Sequence, residues 1–396
     1  MRTQEVHCGY IPLVDCAPLI IAKELQFASE EGLELVLVRQ PSWSALRDRL
    51  IFGQIQFAHM LSPLPIAMSL GLSGPKIKTD ALMVLSANGT MIGISAELDQ
   101  KLTAAGWIND FASPDPTLKA IAAVTKQPLR VGVPFAFSMH RMLLEYWLRH
   151  APDLHPDLIE IVTIPPPQMA EAVKSGRIDM FCVGEPWGTV AVQQSGATLI
   201  LPSTRIWEFA PEKVLAVRNE WGQAHEFLCD AMIRAIHKAG KWLNDPQNLP
   251  LAVEILARSQ HLDLPLHAIE PALSGQIVPK LGTQPHHVDN LLMFHASATN
   301  FPWRSQACWI AERLAHWHDL DPETARQVAR DCFRTDTYRD ALAMMGADMP
   351  GASEKVEGAL AVPTAVASTR GKMILGPDRF FDDAVFDFSP AKLSKN

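Results

Sequence analysis

Short apolar runs alternate along this chain with stretches whose apolar positions recur at helical spacing, and this alternation occurs twice in the same order. The first pass predicts a strand at Val6–Ile11, a loop at Pro12–Pro18, a helix at Leu19–Glu31 and a strand at Leu33–Arg39. The turn Gln40-Pro41-Ser42-Trp43, a helix Ser44–Phe52 and the segment Gly53–His59 follow. The second pass predicts a strand at Leu129–Val133, a loop at Pro134–Met139, a helix at His140–Arg149 and a strand at Ile159–Ile164. It continues through Pro165–Gln168, a helix Met169–Ser175 and Gly176–Cys182. Gly9 falls on Gly132 and Gly53 on Gly176 at one common offset. Right-handed crossovers then place each set of strands in a parallel sheet.

Two such units predict an α/β chain with two lobes of related build. A strand pair, Ala81–Leu85 and Met91–Ser95, is expected to lead into the second lobe, and a strand Lys213–Val217 to return to the first. The expected division is 1–87 with 213–396 as lobe one and 88–212 as lobe two, joined by a hinge. Helices predicted at Phe227–Leu243, Leu251–Ser259, Trp309–His316 and Pro322–Arg334 are expected to pack on lobe one. The Gly-, Pro- and Ser-richer tail from about 346 reads as an irregular arm on the surface.

Composition narrows the function. The 396 residues are 48% hydrophobic and 20% charged, with a formal net charge of −8. No Lys/Arg run offers a nucleic-acid footprint, so no direct nucleic-acid partner is expected. No segment reaches the roughly 18 apolar residues of a membrane helix, and the start Met1–Val6 has no signal-peptide pattern, so a cytoplasmic location is expected. Cys8, Cys16, Cys182, Cys229, Cys308 and Cys332 form no CxxC pair and read as reduced, buried thiols. Nucleophile elbows, phosphate loops, HExxH motifs and cofactor fingerprints are missing. No catalytic residue, metal ligand or cofactor is therefore assigned. Asp15-Cys16 has no histidine tied to it by motif, and His286-His287 lacks ligand spacing.

Ligands of open α/β sheets bind beyond the carboxyl ends of the strands. That rule selects the loops at 12–18, 41–44, 60–65, 134–140, 165–168 and 184–187, which two facing lobes would gather around one cleft. Trp43 sits there at a helix start behind a capping Ser42, either as a packing residue or as an aromatic wall with an N–H. His140 begins another helix, where free backbone N–H groups favour an anion. Gly184 would let backbone approach a ligand. Glu185 beside it suits an anion poorly. Lys213 enters an apolar strand and needs compensation from an anion, or from a glutamate such as Glu185 or Glu208, unless it reaches water.

The stretches Gly9–Leu19, Ser42–Asp48, Ala58–Pro63, Val183–Trp187, Pro211–Leu215 and Phe301–Ser305 together resemble the nitrate- and bicarbonate-binding proteins of ABC importers. Within that family the chain looks most like the cytoplasmic nitrate/nitrite sensors of the NasS type. The resemblance implies a two-lobed periplasmic-binding-protein-like fold of type II that closes on a small anion. It implies ligand contacts at Trp43, His140, Gly184 and Lys213, and it brings Thr90, in Asn88-Gly89-Thr90, near the ligand. It also implies a protein partner, an RNA-binding antiterminator of the ANTAR type held inactive until nitrate or nitrite arrives. The second reading is the receptor of a nitrate or bicarbonate importer whose signal peptide has been removed.

Overall fold

The computed structural model describes residues 3–388, so positions 1–2 and 389–396 of the expected lobe one lie outside the described residues. The strands that build it are, in chain order, β1 (Gln4–Tyr10), β2 (Leu33–Arg39), β3 (Phe57–Leu61), β4 (Thr79–Asn88), β5 (Thr90–Ile94), β6 (Leu129–Val133), β7 (Ile159–Thr163), β8 (Met180–Gly184), β9 (Thr198–Pro202) and β10 (Pro211–Arg218). One sheet of six strands has the order Leu292–Met293, β4, β10, β3, β1, β2. The other has five strands in the order β7, β6, β8, β5, β9. Helices cover both sheets, which gives the two-lobed α/β fold.

The internal repeat is visible in the register. Gly9 on β1 lies opposite Val38 and Ala58 of its parallel neighbours. Gly132 on β6 lies opposite Val162 and Phe181 of its own. Both positions need glycine for the same reason. A Cβ on Gly9 would meet Leu46 and Ile55 methyl carbons at 2.5 and 2.6 Å, and one on Gly132 would meet Ile178 at 2.7 Å. Ile55 and Ile178 are equivalent positions of the two units, so each lobe packs one isoleucine directly on its central strand. Gly53 and Gly176 both take a left-handed turn, with φ of 70° and 69°.

Both strands expected between the lobes form and lead the chain into the second lobe, but they do not pair with each other. β4 pairs with β10 in the first sheet, whereas β5 pairs with β8 and β9 in the second. Asn88 and Gly89, with φ of 64° and 89°, turn the chain out of one sheet and into the other. The Asn88 side chain ties the two crossings together. Its amide donates to the Glu208 and Asn290 carbonyls at 2.9 and 3.0 Å, and its oxygen accepts from the Ala210 N–H at 3.0 Å.

The C-terminal helices Glu226–Leu243, Leu249–Ala257, Leu266–Ser274, Arg304–His318, Pro322–Cys332 and Thr335–Ala343 follow. They do not serve lobe one alone, since the Arg141 guanidinium of lobe two lies over the Trp317 ring of helix Arg304–His318 at 4.3 Å, and the segment after Leu266–Ser274 also reaches lobe two. Lys280 pairs with Asp99 of lobe two at 2.6 Å, and the Leu199 N–H donates to the Pro279 carbonyl at 2.8 Å. The tail is also more ordered than an irregular arm. Thr364–Ser368 and Gly371–Leu375 form a hairpin, and the chain then crosses to lobe two. There Phe380 stacks on Trp207 with ring centroids 4.6 Å apart and lies 5.7 Å from Tyr146. The Tyr146 hydroxyl donates to Asp382 at 2.7 Å, and His150 reaches the same carboxylate at 2.9 Å. Aromatic area decides this difference. Phe380, Phe381, Phe386 and Phe388 have no apolar stripe of their own to reveal an element, yet each finds a wall in the folded chain.

Among the described residues no helix is long and apolar enough to cross a membrane. All six cysteines are unpaired and buried. Truncating Phe380 should leave a cavity between Trp207, Trp309 and Tyr146. Phe380→Ala is expected to lower unfolding free energy by about 3–5 kcal/mol, read from urea unfolding of the purified chain. A loss below about 1 kcal/mol would mean that the tail does not hold this packing in solution.

Candidate functional site

The residues singled out by position come together at the boundary of the lobes. Helix Trp43–Ile51 begins at Trp43 because Ser42 caps it, accepting from the Ala45 N–H at 3.2 Å. Helix Met139–Leu148 is capped in the same way by Ser138, which accepts from Arg141 N–H and sets His140 in the first turn. Lys213 sits on β10, in the middle of the first sheet, between Leu61 of β3 and Ser86 of β4. Thr90 begins β5 directly opposite Gly184, the last residue of β8. The Lys213 ammonium lies 5.5 Å from the Trp43 ring centroid. A Cβ on Gly184 would lie 3.5 Å from His140 Nε2 and 3.7 Å from Asp15 Oδ2, which places these groups around one point.

Lys213 is fully buried, so it does not reach water. Its compensation comes from Asp15 at 2.6 Å and Glu212 at 2.7 Å, not from Glu185 or Glu208. Glu208 instead accepts from the Arg379 N–H. Glu185 accepts from the Thr189 N–H at 3.2 Å, at the start of helix Trp187–Ser195. Position in sequence singled out Lys213 but missed its partners. Asp15, His59 and Glu212 are each one step away from a recognised feature. Asp15 ends the loop after β1, His59 points inward from β3, and Glu212 precedes the lysine. The signal for all three was a charged or polar side chain in an otherwise apolar run.

The electrostatics follow from burial and pairing. Burial works against the Lys213 charge, but Asp15 and then Glu212 outweigh it and hold its pKa above the ordinary value. Burial also pushes Asp15 upward, yet Lys213 and His59 overcome this and hold it at about 2. His59 Nε2 lies 3.0 Å from Asp15 Oδ1, and burial lowers its pKa. Burial, with Lys213 nearby, drives His140 well below the ordinary histidine range, so its imidazole is neutral at pH 7. Glu212 and Glu185 are both pushed up to about 7 by burial. At the centre of the site, Lys213 and Asp15 therefore form a permanent ion pair beside two neutral imidazoles.

Several polar atoms facing this centre have no hydrogen-bond partner in the protein. Among them are Trp43 Nε1, His59 Nδ1, His140 Nε2 and the Thr90 hydroxyl, while His59 Nε2 and His140 Nδ1 face the Asp15 and Glu212 carboxylates. Buried polar groups are nearly always satisfied, so such a cluster is the candidate site for a polar ligand. Lobe two supplies His140, Gly184 and Thr90, and lobe one supplies Trp43, His59 and Lys213. Direct bonds hold the lobes together beside it. The Val14 N–H donates to the Glu185 carbonyl at 2.9 Å, and the Trp187 indole donates to the Pro12 carbonyl at 2.9 Å. Gly184 serves this closure, because a Cβ there would come within 2.7 Å of Leu13 Cδ2. The arrangement can hold a small polar species out of water. Among the described residues no group of His, Cys, Asp and Glu is arranged to hold a metal ion.

A family model described as the NMT1-like family matches residues 1–257. The chain is 29% identical over 394 residues to the nitrate/nitrite binding protein NrtA of Synechococcus elongatus, covering 96% of this chain and 83% of that protein. It is 32% identical over 342 residues to the nitrate import ATP-binding protein NrtC of Synechocystis sp., covering 85% of this chain and 50% of that protein. The chain thus spans about half the length of the NrtC relatives it matches. Among solved structures, the periplasmic nitrate-binding protein NrtA from Synechocystis superposes with a TM-score of 0.83 at 24% identity, over 97% of this chain and 96% of that one. That likeness carries the two-lobed fold. The family model's segment covers lobe two entirely, the first-sheet strands that bear His59 and Lys213 and the helix that begins at Trp43, and on that evidence the chain belongs to the NMT1-like family.

Proposed function

We propose that this chain is a ligand-binding receptor of the anion-import class and encloses one small planar oxyanion, nitrate or nitrite, between its lobes. The observation that carries this reading is the Lys213 ammonium, fully buried amid unpartnered polar atoms of Trp43, His59, His140 and Thr90. Nitrate is singly charged, flat and weakly hydrated. One cation, a few N–H and O–H donors and an indole face suit it. Desolvating a dianion such as sulfate would need more positive charge than this site holds. The relatives named as nitrate-binding and nitrate-import proteins support the same ligand class.

A second reading is the cytoplasmic sensor that holds an ANTAR-type antiterminator until nitrate or nitrite binds. Its support is the sequence resemblance and the six unpaired thiols, which suit a reducing compartment. The import relatives favour the receptor reading. In either role the ligand acts by favouring closed lobes over open ones. Co-purification with an ANTAR-type antiterminator, with and without nitrate, separates the two. The sensor reading expects a complex that nitrate dissolves, and no complex under either condition would remove it.

Calorimetry with nitrate, nitrite, bicarbonate and sulfate tests the ligand class. Heat is expected with nitrate or nitrite and none with sulfate. Binding of bicarbonate alone would reassign the ligand, and the Asp15 and Glu212 carboxylates supply the acceptor that its proton would need. Lys213→Met should weaken nitrate binding by about 100-fold, equivalent to about 2.7 kcal/mol. Unchanged affinity in that variant would remove Lys213 from the site.

His140→Ala removes one neutral donor. The expected loss is about tenfold relative to the parent protein at each pH from 6 to 8. A loss that grows as pH falls would mean that the imidazolium form takes part, contrary to the burial of this ring.

A further inference from the structure

The buried centre contains one more acidic group than its single cation requires. Lys213 touches Asp15 on one side and Glu212 on the other. With both carboxylates ionised the centre carries a net negative charge, and burial leaves no water to screen it. An anion cannot enter on those terms. Asp15 is the fixed partner, because it faces both Lys213 and His59. Glu212 meets only the shared ammonium and His140 Nδ1, at 3.2 Å, and that imidazole is neutral.

Resting on the anion-receptor reading above, we infer that Glu212 is the positioning residue that makes capture proton-linked, so that each bound anion is taken up with one proton that comes to rest on the Glu212 carboxyl. The balance is simple. The ionised Glu212 takes a proton from solvent, forming its O–H bond, while the anion enters beside Lys213. The centre gains no net charge. The protonated carboxyl changes Glu212 from an acceptor that competes with the anion into a donor beside it. Lys213 keeps its charge and gives up one of its two carboxylate partners to the ligand.

The groups around Glu212 single it out for this role. From β10 it faces Lys213, from the loop after β1 Asp15, from β3 His59 behind Asp15, and from the helix starting at Met139 His140. From β8, Cys182 feels its charge, and that thiol is pushed upward by burial and stays protonated. Glu185 follows β8 but turns to Thr189 and to Gly188, whose Cβ would lie 2.6 Å from its carboxyl oxygen. Its state is therefore the same whether or not Lys213 holds a ligand. Burial lifts Glu212 to about 7, within reach of ordinary pH, while Asp15 stays ionised throughout. The Glu212 backbone is pinned, since its carbonyl accepts from the Ser62 N–H at 3.1 Å, so proton transfer needs no strand movement.

Nitrate does not titrate between pH 6 and 9, so it isolates the protein's proton. Titration calorimetry of the full chain with nitrate at pH 8, in buffers of different ionisation enthalpy, should show uptake of about one proton per nitrate. Affinity should be nearly flat below pH 6, fall by about tenfold from pH 6 to pH 8, and fall about tenfold more by pH 9. Glu212→Gln should bind nitrate at pH 8 about as tightly as the parent does at pH 6, with no pH slope and no proton uptake. Glu185→Gln should keep the slope. Nitrate binding without proton uptake in the parent protein would overturn the inference and leave the receptor reading standing. So would an unchanged slope in Glu212→Gln. Absence of binding heat with both nitrate and nitrite at every pH would reject the receptor reading, and this inference with it. The parent measurement decides the matter even if a variant fails to fold.

Discussion

Lys213 brings a positive charge into the middle of a sheet where no water reaches it, and the centre of the molecule is arranged around that charge. An isolated ammonium there would lose its proton, because burial favours the neutral form. Asp15 and Glu212 prevent this. Each comes from a strand or strand-end loop of the first sheet, so the ion set is built inside lobe one. Lobe two contributes only neutral groups: His140, Thr90 and the bare backbone of Gly184. The charged half is therefore preassembled, and the second lobe completes the enclosure without adding a charge that would have to be desolvated on closure.

The same constraint explains the joints. The two lobes meet nearly in contact around that centre. Gly184 has no side chain because Leu13 of the facing lobe occupies that space. Val14, Pro12, Glu185 and Trp187 exchange backbone and indole hydrogen bonds across the gap. Asn88 binds both crossing segments with its single amide and ties them together. Farther out, the tail lays Phe380 on Trp207 and Asp382 on Tyr146 and His150. Closure is thus held at the site, at the hinge and on the outer surface by different kinds of contact.

The repeat was legible because its cause is local. Gly9 and Gly132 each lie under one isoleucine, and Gly53 and Gly176 each follow a short helix with positive φ. Such requirements leave marks a few residues apart, which is why strands, crossovers and the two-lobed plan could be read in advance. The strand-end rule then named the loops bearing Trp43, His140 and Gly184 without reference to any contact. Lys213 stood out as a charge inside an apolar strand.

Other features depend on residues far apart in the chain. That Asp15 and Glu212 neutralise Lys213, and that Glu185 and Glu208 do not, is decided by the pairing of β10 with β3 and by the path of the loop after β1. The separation of β4 from β5 depends on β8 and β10, strands that arrive far later in the chain. The tail's aromatic residues have no pattern of their own and are ordered only by the walls they meet. Local periodicity and backbone preference therefore determined the elements, the repeat and the loops of the site, because each depends on near neighbours. Which charges meet, which lobe carries them and what clasps the lobes together were decided only in three dimensions, because burial and Coulomb interaction act between atoms that the chain order does not bring near.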